Sequence, residues 1–135
     1  MKRIIYQGDN GGVVVIVPTP DYLLTHTIED CAAKDVPANT PYTVVDADDI
    51  PNDRTFRNAW KSDLTVDFIK AQALTKDRLR ADRKPLMEAQ DVLFQRALET
   101  GQNATSIVKE KQRLRDVTKL VDVATTLDQL KGVTV

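Results

Sequence analysis

An α+β fold is predicted, with a small N-terminal β-hairpin head followed by a long helical hairpin. Two stretches predict it. Near the start, the β-branched or aromatic runs Arg3 to Gln7 and Val13 to Val17 flank a glycine-rich segment, Gly8-Asp9-Asn10-Gly11-Gly12. Further on, Leu79, Leu86 and Leu93 recur every seven residues, and Ile107, Leu114 and Val121 repeat that spacing after a break at Glu99 to Asn103. Residues seven apart lie almost above one another on a helix, so each segment carries one apolar stripe. Two striped helices joined by a short Gly-containing turn read as an antiparallel helical hairpin.

The head comes first. Asn10-Gly11 supplies the positive φ angles that a tight turn between strands requires. Val13-Val14-Val15-Ile16-Val17 does not alternate with polar residues, which predicts a strand covered on both faces, ended by Pro18 and Pro20. A glycine-rich loop also suits phosphate, but no helix start follows to aim backbone donors at it, so the hairpin reading is preferred. Ile28 to Lys34 is a short helix with Thr27 as its N-cap and Asp30 three residues on in a capping-box pattern. Cys31 is expected as a small core residue. The sole His, His26, precedes that helix, so a Cys–His dyad is disfavoured. Proline-rich turns at Pro37 and Pro41 lead into a third strand, Tyr42 to Val45. Tyr6, Val15, Val17, Ile28 and Val44 are the expected core.

Asp46, Asp48, Asp49 and Asp53 crowd the next loop. Clustered carboxylates suit hard cations, but the EF-hand positions for Gly and Glu, counted from Asp46, are Pro51 and Arg57. A solvated loop whose aspartates cap turns is preferred. Arg54, Phe56, Arg57 and Trp60 then fall within one short segment. Phe56 and Trp60, four apart, share a face of a helical turn. The preferred reading is an anchor pinning the head onto the first long helix. The functional reading is a binding spot, because Trp and Arg dominate interface hot spots.

The helical stretch is expected from Leu64 to Thr118, with the first long helix over Asp67 to Leu98. Proline at Pro85 removes a backbone donor and clashes with the preceding turn, but the leucine stripe keeps its phase across it, so a kink is expected there. Arg78, Arg80, Arg83 and Lys84 alternate with Asp77 and Asp82 as a solvated charged face. Gly101 fits the position just past a helix end, with Asn103 or Thr105 capping the next helix. Thr125 or Thr126 is expected to cap a last turn ended by Gly132. The resulting domains are a head over 1–62, the hairpin over 63–118 and a short helical tail over 119–135. Leu79, Leu86, Leu93, Ile107 and Leu114 are candidate partner-binding residues if part of the stripe stays free.

Composition narrows the function. With 135 residues the chain can bury a core without staples. One Cys permits no internal disulfide, and one Cys with one His provides no thiolate zinc site, so no metal or cofactor is expected. The net charge of −1 hides an acidic first part, five Lys/Arg against nine Asp/Glu in residues 1–60, and a basic remainder, fourteen against eleven. That excess falls short of a nucleic-acid footprint. The longest apolar run, Val13 to Val17, cannot span a bilayer, and Lys2-Arg3 precede no signal-peptide apolar region. The expected setting is the cytoplasm of the producing cell, with no membrane partner.

Lys111-Gln112-Arg113-Leu114-Arg115-Asp116-Val117 resembles the Arg/Lys-Gln-x-Leu-Arg-Asp-Ile ending of small assembly chaperones of tailed-phage tails. Arg80-x-x-Arg83 and Leu93 through Glu99-Thr100-Gly101 are similar to the same helical segment. The run Asp53 to Trp60 and the opening Ile4-Ile5-Tyr6 with Gly11-Gly12-Val13 are similar to small proteins encoded among phage tail genes. The resemblance implies a non-enzymatic structural or assembly role, with tail, baseplate or tail-fibre proteins, or further copies of the chain, as partners. It places the chain in the host cytoplasm during assembly or in the virion. The alternative is a regulatory or adaptor module that binds a host protein through its helical hairpin.

Overall fold

The computed structural model describes all 135 residues, Met1 to Val135. The chain divides into two compact units, Met1–Lys70 and Ala71–Val135.

Unit 1 is built on a three-stranded antiparallel sheet of β1 (Lys2–Gln7), β2 (Val13–Ile16) and β3 (Tyr42–Asp46), in the order β2-β1-β3. Ile5 lies opposite Val15 on one side and Thr43 on the other, which fixes the register of all three strands. Gly11, at φ 81°, and the Gly8 N–H donating 2.7 Å to the Gly12 carbonyl shape the β1–β2 turn that the Asn-Gly pair predicts. A one-turn helix, α1 (Pro20–Leu23), precedes α2 (Ile28–Asp35), whose Thr27 capping box is fully formed.

The sheet has cover on both faces, and alternation along β1 assigns the two halves of the core. Ile5 packs with Val13, Ile50 and Trp60. Its neighbour Ile4 packs with Cys31 and Ala32 of α2. The core therefore differs from the expected set. Tyr6, Val15, Ile28 and Val44 are half-buried, and Val17 is 56% exposed because β2 ends at Ile16, one residue earlier than expected. β2 is an edge strand with packing on both faces, Val15 against the Ile5–Trp60 cluster and Ile16 against the Ile4–Cys31 cluster, although only Val13 is buried and Val14 to Ile16 are half-buried.

Unit 1 extends beyond the expected boundary at residue 62 because the chain doubles back there. Lys61 N–H donates 2.8 Å to the Thr65 carbonyl, and Asp67 N–H donates 2.8 Å to that of Ala59. Trp60 and Val66 form an antiparallel bridge. Leu64, at φ 65°, occupies the reversal, so it stands outside the helical stretch it was expected to head, while the first long helix begins one residue after the expected Asp67.

The long helix α3 runs from Phe68 to Thr100. Unit 2 contains its residues from Ala71 onward, with α4 (Thr105–Asp116), α5 (Lys119–Val123) and α6 (Leu127–Gly132). No separate tail unit forms over 119–135. α3 continues unbroken through Pro85, which is exposed. It ends in a Schellman motif: Gln102 N–H donates 2.9 Å to the Ala97 carbonyl, and Gly101 sits at φ 69°. Asn103 Oδ1 accepts from Thr105 N–H (2.9 Å) and hydroxyl (2.6 Å), turning the chain into α4. Thr126 caps α6 by accepting from Gln129 N–H at 3.2 Å.

Cross-links between α3 and the later helices run in opposite directions along the sequence. Asp91 pairs with Lys111, Arg83 donates to the carbonyls of Leu114 and Arg115, and Lys76 pairs with Asp122. This descending series is the antiparallel hairpin expected from the two stripes. Pro85 lacks the N–H that an ordinary residue would donate to the carbonyl four positions back. Pro85→Ala is expected to stabilise the protein by about 1–3 kcal/mol, read as a higher urea midpoint with an unchanged slope.

Candidate protein-interaction surface

Most chemistry-bearing residues of unit 1 have local partners. Asp46 forms a salt bridge with Lys2 at 2.9 Å, and that hydrogen-bonded ammonium holds its carboxyl below the usual range. Asp53 Oδ1 accepts from the N–H and hydroxyl of Thr55, at 3.0 and 2.6 Å. Asp48 and Asp49 lie exposed on a single 3-10 turn, Ala47–Asp49. No group of three or more His, Cys, Asp or Glu side chains is gathered to hold a metal ion.

Cys31 is buried, and its thiol donates toward the Asp35 carboxylate at 3.6 Å. Burial, then the hydrogen bond to Asp35, raises its pKa, the opposite of what a thiolate nucleophile requires. His26 is exposed, stacks on Tyr22 with centroids 4.3 Å apart, and lies 2.8 Å from the Thr25 hydroxyl through Nδ1. The two side chains thus have separate partners. In the glycine turn, the Gly11 carbonyl already accepts from Gln7 Nε2 (2.5 Å) and Lys70 Nζ (3.1 Å).

The Arg54–Trp60 segment is not a displayed binding spot. Trp60 is 1% exposed and Phe56 is also buried, and Trp60 belongs to the same cluster as Ile5, Val13 and Ile50. A 3-10 turn, Arg57–Ala59, joins the two aromatics in place of the expected helical turn. Arg54 lies over the Trp60 ring at 5.5 Å, a cation–π contact that covers the indole from outside. Arg57 is exposed.

The stripe on unit 2 splits by burial. Leu79 and Leu114 are completely buried and Ile107 is half-buried, but Leu86 and Leu93 are 43% and 44% exposed. Leu79 and Ala97 lie on one line of α3, and Leu86 and Leu93 fall within about 40° of it, yet they keep more of their surface in water. Ala89 lies between them at helical spacing and Val92 beside them, both exposed. The result is a ridge of aliphatic side chains on a helix otherwise rich in charge.

The other flank is cationic. Arg80, Arg83, Lys84 and Arg115 line a groove of about 400 Å³ together with Met87 and Glu88. The sequence presents Arg78 to Lys84 as a solvated face, and only the antiparallel register adds Arg115 to it. At the end of α4, Glu110 and Asp116 are held below their ordinary carboxylate values. The cause for Glu110 is the hydrogen bond from Arg113, and for Asp116 those from Gln112 and then Lys119. No helix of the chain is long and apolar enough to cross a membrane. Compared with known protein families, curated proteins and solved structures, the chain matches none of them significantly.

Proposed function

We propose that this chain is a non-enzymatic structural or assembly protein of a phage tail, acting through protein–protein contacts at the tail, baseplate or tail fibre. The observation that carries the contact role is the ridge of Leu86, Ala89, Val92 and Leu93, all exposed on one side of α3. Aliphatic side chains at i, i+3 and i+7 are the pattern by which a helix lies in an apolar groove or against another helix. The tail setting is supported by the resemblance of Lys111–Val117 and the segments around it to tail assembly chaperones. In this reading the chain works in the host cytoplasm during assembly, either leaving before the particle is complete or remaining in it.

The test is capture of tail, baseplate and fibre proteins by the tagged chain, alongside Leu86→Asp/Leu93→Asp. The double variant is expected to lose capture by more than about tenfold while keeping its helical circular dichroism, since neither residue is core. Unchanged capture would remove the ridge as the contact. Specific capture of a host factor with no tail protein would replace the reading with that of an adaptor. Mass spectrometry of purified particles then separates a virion component from a chaperone, which would be absent.

A further inference from the structure

The cationic groove of unit 2 and the acidic surface of unit 1 carry complementary charge. Unit 1 holds seven Lys/Arg against eleven Asp/Glu, and unit 2 twelve against nine. The groove concentrates the positive side, with four cations and the single carboxylate of Glu88. Its cations are partly set in place. Arg83 Nη1 donates to the carbonyls of Leu114 (3.2 Å) and Arg115 (3.0 Å), and Arg80 Nη1 bonds Asp77 at 2.9 Å. Lys84 and Arg115 are exposed beside them. The walls between the charges are mostly apolar, as expected where Arg and Lys stems lie along Met87.

Such a groove suits carboxylates presented on a small protruding turn, because guanidinium forks take them in paired hydrogen bonds. It suits a nucleic-acid strand poorly. No aromatic ring lines it for base stacking, and Glu88 stands among its cations where a phosphate backbone would run. The chain carries a matching turn of its own. Ala47–Asp49 projects Asp48 and Asp49, which are exposed and engage no other side chain, next to a third carboxylate, Asp46.

We propose that the groove of one copy receives the Ala47–Asp49 turn of a second copy, with Asp48 and Asp49 meeting Arg80, Lys84 and Arg115. The contact joins two different surfaces, so each copy offers one groove and one turn to its neighbours. It uses residues separate from the Leu86–Leu93 ridge and stands or falls independently of the tail-assembly reading. Being a contact of exposed charges, it weakens steeply with salt.

Light scattering and sedimentation equilibrium on the full chain test this. The average mass is expected to rise with concentration to at least twice 15.1 kDa at about 0.05 M salt, and to fall back towards 15.1 kDa at about 0.5 M. Arg80→Glu/Lys84→Glu alone should be monomeric, because groove and turn are then both acidic. Asp48→Lys/Asp49→Lys alone should be monomeric for the opposite reason. Mixing the two variants should restore association, since each surface again meets its opposite. All four positions are exposed, and circular dichroism confirms that each variant is folded; the salt response of the unaltered chain and Arg115→Ala provide tests that do not rely on charge reversal. A mass that stays at 15.1 kDa at low salt and every concentration overturns the proposal. So does association indifferent to salt and to both charge reversals, or a monomer that instead shifts a short single-stranded DNA, which would assign the groove to phosphate.

Discussion

Replacing Trp60 with Ala is expected to remove about 3–5 kcal/mol of stability, much of what holds a domain of this size folded. Trp60 is the largest fully buried side chain, and it joins Ile5 of the sheet to Val13 and Ile50. Truncation would leave a void between the sheet and the segment that doubles back through Lys61–Asp67, which is held by the Trp60–Val66 bridge. Urea unfolding followed by circular dichroism reads the loss. Trp60→Phe should recover part of it, because a six-membered ring fills some of the same space. Because this is the only Trp, its fluorescence in the unaltered protein reports on the sheet core alone. A loss below about 1 kcal/mol would mean that the indole is not packed as described.

The second large effect separates residues that look alike in sequence. Leu79→Ala and Leu114→Ala should each cost about 2–5 kcal/mol, whereas Leu86→Ala and Leu93→Ala should each stay within about 0.5 kcal/mol. All four sit at heptad positions of the two stripes. Only the first two are wholly removed from water, so only they leave closed cavities. Denaturation midpoints of the four variants, compared at equal slope, decide the matter. Comparable losses at all four positions would contradict the split, and with it the claim that Leu86 and Leu93 are free for a partner.

The contrast between these leucines marks how far periodicity can be read. A seven-residue repeat identifies a helix and its apolar side, but which members are covered depends on where the partner helices lie along it, which no local pattern contains. The strands were legible because β-branched runs around Asn-Gly have few other uses. Thr27 with Asp30 announced α2, and the hydrogen bond from the Thr27 N–H holds the Asp30 carboxyl below its ordinary value. Gly101 marked the end of α3 because its positive φ is one that other residues resist.

What was not legible depended on contacts between distant residues. The sequence presents Phe56 and Trp60 as an anchor between the head and the first long helix, with a displayed binding spot as the alternative, but what they bury against cannot be read from residue type. The structure turns them inward and leaves Arg54 as their cover. Leu64 appeared to open the helical run, but Asp63 accepts from the Thr65 hydroxyl and N–H and draws the chain into a reversal first. The groove needed Arg115 brought beside Arg80 through Lys84 by the fold-back of α4. Its raw signal, basic residues on both sides of the Gly101 turn, was present in the sequence, but only the register assembles them.

Cys31 gives the chain an internal clock. It is the sole thiol, buried beneath α2 against Ile4 and made harder to ionise by that burial. It also lines a cavity of about 150 Å³ with Tyr22, Lys34 and Asp35, so its modification rate, divided by that of a free cysteine under the same conditions, reports how readily this side of α2 admits a thiol reagent. Trp60 reports from the opposite face of the same sheet. One strand, β1, thus separates two natural probes, and comparing them tells whether the two faces of unit 1 come apart together or one before the other.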